Sequence, residues 1–161
     1  MSEPASAFWR RYLGTLPPKH PHLRARFDAF SFGDEPALAD ELAALVLAGR
    51  KRATASLPAE FTGAGLALPA AGDVSVVTLA DGSPVTIIEL VEVRHIPFES
   101  VDASFAADEG EGNGTLASWR AAHLKYFGRV SLRLGCEFDE ETLVICQRFS
   151  VVWLGRGGIA G

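Results

Sequence analysis

Between Gly72 and Pro97 the chain reads as a β-hairpin, and no other stretch restricts the fold as much. Val74 to Leu79 is a strand, Ala80-Asp81-Gly82-Ser83 supplies the turn, and Val85 to Arg94 runs back until Pro97 ends it. An Asp-Gly pair between two β-branched runs favours a tight turn and fixes two strands antiparallel. Leu143 to Leu154 is a further strong strand. Arg26 to Phe32 alternates and reads as a short one.

Elsewhere the apolar period is helical. Phe8, Trp9, Tyr12 and Leu13 share a face within Ala5 to Leu13, with Ser6 or Ser2 as caps and Pro17-Pro18 as a stop. Asp34 is the expected N-cap of a second helix, with Pro36 in its first turn. Leu38, Leu42, Leu45 and Val46 form its stripe and Gly49 closes it. The segment from Thr54 to Ala71 carries two prolines and two glycines and reads as a long loop with one helical turn. Val101 to Glu109 reads as a short helix broken by Gly110 to Gly114, and Thr115 caps another running to about Phe127. The expected class is α+β, a mixed or antiparallel sheet curled into a barrel and decorated by helices.

The chain of 161 residues is long enough for one core, and 48% hydrophobic with 22% charged residues is globular composition. A net charge of -5 excludes a general polyanion binder, so any nucleic-acid site must be a local basic patch. Cys136 and Cys146 form no zinc spacing and no disulfide framework; both read as reduced thiols, with Cys146 in the core. Residues 1 to 6 lack the features of a signal peptide, and no apolar run reaches the roughly 20 residues of a membrane helix. A cytoplasmic protein with no membrane partner is expected.

Three stretches carry candidate chemistry. The first is Gly49-Arg50-Lys51-Arg52-Ala53-Thr54, three cations after a helix end and a hydroxyl three residues beyond Lys51. Neighbouring cations lower a lysine pKa, and a base can then activate a threonine hydroxyl. In an extended segment Lys51 and Thr54 point to opposite faces and converge only across a turn or bulge; the same residues also suit a solvated basic loop. The second is the acidic run Asp108-Glu109-Gly110-Glu111-Gly112, able to act as acid or base, to bind an amine or to ligate a cation, or equally a solvated turn. The third is the helix face of Trp119 and His123, four residues apart, which suits base stacking and proton exchange as well as core packing. Arg148 stands in an apolar strand and needs an acid or an anion beside it. His20 and His22, in a proline-bounded basic loop, read as surface residues, and without a third ligand they are no metal site.

Taken together, several motifs resemble the ASCH domain family, small β-barrels related to the PUA RNA-binding fold. They are Phe32-Gly33-Asp34, Leu47-Ala48-Gly49, Lys51-x-x-Thr54-x-Ser56, Ala71-Gly72-Asp73, Glu109-Gly110-Glu111-Gly112, Leu116-x-x-Trp119-Arg120-x-x-His123 and Arg148-Phe149-x-Val151-Val152-Trp153. The resemblance covers about residues 27 to 153. It implies an N-terminal helical extension over 1–26 and an ASCH domain over 27–154; the glycine-rich stretch 155–161 has no side chains to anchor it and is expected to be a flexible tail. It also implies a basic cleft facing RNA or a modified nucleoside, with no DNA partner; the oligomeric state stays open.

Two activities in the family bear on this chain. Short members are amidohydrolases that deacetylate N4-acetylcytidine with a lysine, a threonine and a glutamate, which by motif correspond to Lys51, Thr54 and Glu109, with Glu111 near enough to leave the acid open. In that scheme a neutral Lys51 takes the Thr54 proton. Another member, nearer this chain in length, resembles a single-stranded RNA ribonuclease. There Lys51 would meet the phosphorane while Arg50, Arg52 and Arg148 grip phosphates, and a divalent metal would be a possible cofactor. Otherwise no cofactor is expected. A non-catalytic RNA-binding module is the third reading, with the same basic pocket, Thr54 only a hydrogen-bond donor and Glu109 a base reader. Across the readings the substrate-binding residues are Arg50, Arg52, Ser56, Glu111, Trp119, His123 and Arg148.

Overall fold

In the computed structural model residues 3–155 are described. The elements run α1 (Ala5–Leu13), β1 (Phe27–Phe30), α2 (Pro36–Leu47), β2 (Ala53–Ser56), α3 (Pro58–Thr62), β3 (Val74–Thr78), β4 (Pro84–Pro97), α4 (Ala103–Glu109), α5 (Leu116–Leu134) and β5 (Leu143–Trp153). The described residues group into two compact units, one of residues 3–49, 71–91 and 149–155, the other of 50–70 and 92–148.

The strands form one mixed sheet in the order β1-β3-β4-β5-β2. The hairpin expected from Asp81-Gly82 pairs β3 with β4 antiparallel, with a register shift at Val77/Thr78. β1 lies parallel to β3, and β2 runs antiparallel to β5. The sheet is therefore α+β as expected but is not closed into a barrel. Its edges, β1 and β2, are four residues each, and each pairs on one side only. Closing a barrel needs edge strands with enough ladder positions to join and a consistent stagger, which two such short edges do not supply.

In the first unit α1 presents Phe8, Trp9 and Tyr12 to Val74, Val76, Ile87 and Trp153. Trp9 stacks on Phe27 at 4.9 Å and Phe8 tilts against Trp153 at 4.9 Å. Ser6 does not cap α1, whose N-cap position is held by Pro4; Ser2 lies outside the described residues. Glu35, not Asp34, holds the N-cap position of α2, because Pro36 takes the first helical position and forces the preceding residue extended. His22, expected at the surface, is buried. It follows a 3-10 turn entry at Pro21 that turns its ring inward to Tyr12 and Glu89.

In the second unit Ala53, Ala55 and Leu57 from β2 and its end meet Phe98, Val101, Phe105, Trp119, Phe127, Val130, Val144 and Cys146. The long loop expected after Thr54 is shortened by β2 and α3; the alternation of Ala53 and Ala55 with Thr54 and Ser56 is a strand pattern written in small residues, which carry little β propensity. α5 continues past Phe127 to Leu134, since Phe127, Val130 and Ser131 prolong the buried face and Gly128 is tolerated inside it. Thr115 accepts from the Ser118 amide at 3.2 Å, and Gly135 ends the helix at φ 71°. The expected tail includes residues 156–161, which lie outside the described residues. Among the described residues no helix is long and apolar enough to cross a membrane.

Candidate functional site

Lys51 enters the second unit just ahead of β2 and turns its side chain into the core, where it is 1% exposed. An unpaired ammonium there would be prohibitive. Its Nζ donates to the Ala53 carbonyl at 2.7 Å, to Glu109 Oε1 at 3.1 Å and to Glu111 Oε2 at 2.8 Å. That is one acceptor for each of three protons.

Glu109 comes from the last residue of α4, capped at its start by Asp102, which accepts from the Phe105 amide at 2.9 Å. It too is 1% exposed. Its second oxygen accepts from the Trp119 indole N–H, and His123 Nε2 lies 3.0 Å from the same oxygen. His123 Nδ1 faces the Trp119 carbonyl at 2.9 Å and its ring stacks on Trp119 at 4.1 Å. A carbonyl only accepts, so Nδ1 carries a proton, and Nε2 must carry one to face a carboxylate. With acceptors at both nitrogens the site favours the imidazolium.

The electrostatics agree. Burial pushes the His123 pKa down, but Glu109 more than offsets it and holds the group above its ordinary value. Burial would raise Glu109, yet Lys51 and then His123 hold it far below the usual carboxylate range. Lys51, against its burial, is raised by Glu109 and Glu111. It is a cation, so the neutral lysine base expected from sequence is corrected: two carboxylates within hydrogen-bond reach overrule the flanking arginines. Glu111 differs from the rest. Burial raises its pKa, Lys51 pulls it back and Glu109 raises it again, leaving it above the ordinary value. With 26% of its side chain exposed, it is the group through which the cluster meets solvent.

Gly110 brings the two stretches together. It caps α4 at φ 67°, and a Cβ built there would sit 2.1 Å from the Arg50 carbonyl oxygen. Only glycine admits that approach. Two residues along each segment the Arg52 amide donates to the Asp108 carbonyl at 2.7 Å, tying the backbones together.

The other candidates fall outside this cluster. Arg52 bonds Asp108 at 3.1 Å, and Arg148 bonds Asp108 and Glu92 at 2.8 Å each while its guanidinium lies 5.3 Å from the Phe105 ring centre. Arg50 is exposed. In the β2–β5 ladder Thr54 faces Gln147, on the sheet side away from Ala53 and Ala55, and its hydroxyl makes no hydrogen bond among the described residues. Ser56, on that same side, accepts from Gln147 Nε2 at 3.2 Å. Of the cations expected to form a basic cleft, Lys51, Arg52 and Arg148 are thus each matched to acids, and Arg50 is exposed. Asp108 and Glu92 were missed as partners; Asp108 had a signal, standing one residue before Glu109 in the acidic run. Cys146 is a core thiol pushed up to about 12 by burial, so it is inert.

Glu109, Glu111 and His123 offer one ligand atom each within 4.8 Å of one another, the span of a cation site. As arranged, the residues do not fit one: the Lys51 ammonium already bridges the two carboxylates, and His123 Nε2 is protonated toward Glu109.

The sequence model of the ASCH domain matches residues 28–153. The chain belongs to the ASCH domain family. It is similar to the crystal structure of an ASCH domain from Lactobacillus crispatus JV V101, with 36% identity, 95% of this chain and 96% of that one covered, and a TM-score of 0.86. It is also similar to protein EF3133 from Enterococcus faecalis V583, with 30% identity, 94% and 89% coverage, and a TM-score of 0.80. The hypothetical protein PH0355 shares the fold alone, at 11% identity, 79% and 100% coverage, and a TM-score of 0.53. No curated protein matches the chain.

Proposed function

We infer that this ASCH domain binds RNA or a modified nucleoside at the Lys51–Glu109–Glu111 cluster and hydrolyses an acyl amide on the base, with N4-acetylcytidine as the type substrate. The observation that carries this reading is the Lys51 amine hydrogen-bonded to Glu109 and Glu111 at once, with Glu111 alone reaching solvent. Amide hydrolysis needs a carboxyl that accepts a proton from the nucleophile and returns it to the leaving nitrogen, and a raised pKa suits Glu111 to both steps.

The roles then differ from those implied by the motif. Glu111 takes a proton from water as the oxygen attacks the acetyl carbon. When a ligand draws Glu111 aside, the Lys51 ammonium meets the carbonyl oxygen as it becomes an oxyanion. The C–N bond breaks, Glu111 gives its proton to the exocyclic nitrogen, and acetate and cytidine leave. Glu109, held by Lys51, His123 and Trp119, is the fixed anion that keeps Lys51 charged and in place. Thr54, on the other side of β2, has no path to Lys51 in this scheme and is a ligand contact at most. The ribonuclease reading draws less support, since Arg52 and Arg148 are already engaged by Asp108 and Glu92 instead of standing open to phosphate.

Purified protein incubated with N4-acetylcytidine tests the assignment. Acetate release should fall at least 100-fold in Lys51→Ala and Glu111→Gln and by less than 10-fold in Thr54→Ala, with EDTA without effect. Loss in Thr54→Ala equal to that in Lys51→Ala would restore the threonine nucleophile. No acetate from wild type, with single-stranded RNA retained, would leave a binding module.

A further inference from the structure

The first unit holds a second polar constellation that the reading above does not use. Tyr12 from α1 hydrogen-bonds His22 Nδ1 at 2.6 Å, and His22 Nε2 in turn bonds Glu89 Oε1, on β4. Tyr12 and His22 are buried, while Glu89 keeps 32% of its side chain exposed. A carboxylate only accepts, so the His22 hydrogen facing Glu89 sits on Nε2, and Nδ1 is left to accept from the Tyr12 phenol, whose pKa is raised by burial and then by the Glu89 charge. The chain of bonds ends on a carboxylate whose other oxygen, Oε2, makes no hydrogen bond among the described residues.

That carboxylate lines a cleft of about 550 Å³, within the range of small-molecule sites. Leu16, Pro17, Pro21, Val151, Val152 and Trp153 supply its apolar wall. No lysine or arginine lines it among the described residues, so Glu89 gives it a negative charge. His20 stands edge-on to His22 at 4.7 Å, its Nδ1 accepting from the His22 amide. Lys19, just before, is held at φ 75°, a left-handed conformation that is strained for a residue with a side chain. The turn that brings the histidines to the cleft is therefore formed against local preference.

We propose that this cleft is a binding site for a small organic cation, a primary amine on a compact apolar body, with the ammonium on Glu89 Oε2 and the body against Val151 and Trp153. Tyr12 and His22 position the carboxylate: a buried imidazole that donates to one oxygen fixes the direction of the other. A neutral ligand of the same shape leaves Glu89 without its ion pair and binds more weakly.

Titration of benzylamine into ¹⁵N-labelled protein, followed by amide and indole shifts, tests the site, with benzyl alcohol as the neutral match. Saturable shifts confined to residues 15–22, 89 and 151–153 are expected, at least 10-fold weaker for the alcohol and for Glu89→Gln. Equal binding of amine and alcohol to wild type, shifts spread outside these residues, or no saturation overturns the proposal. The comparison of the two ligands on wild type decides the matter even if the variant does not fold.

Discussion

The Lys51 cluster and the Tyr12–His22–Glu89 chain bury polar groups by opposite means. The first is ionic: Lys51, Glu109 and His123 are buried, with Lys51 paired to Glu109 and Glu111 and His123 facing Glu109, and only Glu111 reaches solvent. The second is a relay of hydrogen bonds through a phenol and an imidazole that ends on a part-exposed carboxylate with an oxygen to spare. A buried charge is tolerated only when its pairing is complete, whereas a neutral hydrogen-bond chain can afford an open end. Completeness makes the ionic cluster fragile to single changes, and openness makes the neutral chain a place for ligands.

The sharpest break in that comparison is Glu109→Gln. It leaves Lys51 with one carboxylate and His123 with none, so unfolding free energy should drop by about 3–5 kcal/mol in urea melts. Lys51→Met added to Glu109→Gln should recover part of the loss, because no uncompensated ammonium remains. A cost under about 1 kcal/mol would mean that the pair is solvated in solution. The pH profile follows from the same groups. His123 and Glu111 have folded pKa values above their unfolded ones, so the stability they contribute is full below the unfolded values and lost as pH rises through the folded ones. Glu109 has a depressed pKa and acts the other way: its contribution is present above about 4.5 and lost only as pH falls well into the acid range. Wild type should therefore lose stability as pH rises past neutral, and His123→Gln should flatten that limb.

Next in size is Gly110→Ala. The added methyl meets the Arg50 carbonyl at 2.1 Å and the backbone sits at a positive φ, so strain and displacement together should cost about 1–3 kcal/mol or more. Acetate release should fall with it, because Glu109 and Glu111 flank this residue. An alanine variant with wild-type melting would mean that the α4 end can move away from Lys51 freely.

How much of this could be read from sequence depends on where the information lies. The hairpin at Asp81-Gly82, the α1 face and the Thr115 cap are local patterns, and each forms where expected. β2 was obscured because its buried positions are Ala53 and Ala55, too small to register as a β pattern. The motif spacing flagged Lys51, Glu109, Glu111, Trp119 and His123, and these converge in one cluster. Their charge states were not legible, because the carboxylates that hold Lys51 charged arrive from about 60 residues away, while its sequence neighbours are arginines. His22 was misread for the same reason. Its partners, Tyr12 and Glu89, come from separate elements.

The smallest effect falls on the neutral chain. Tyr12→Phe removes the phenol that donates to His22 Nδ1 and should cost about 1–2 kcal/mol, the price of one buried acceptor left unpaired. No ion loses a partner, so the loss stays well below that of Glu109→Gln. The variant has a second, independent consequence. Without the phenol only the bond to Glu89 holds the hydrogen on Nε2, so ¹⁵N shifts of the His22 ring should move part-way from a single Nε2–H form toward a mixture, and the Glu89 carboxylate should lose part of its fixed direction. Benzylamine binding would then weaken several-fold while acetate release stays unchanged. A Tyr12→Phe protein that keeps one His22 tautomer and full amine binding would show that Glu89 is oriented by something other than this chain, and the contrast between a paired ionic cluster and an open hydrogen-bond relay would fail on its second term.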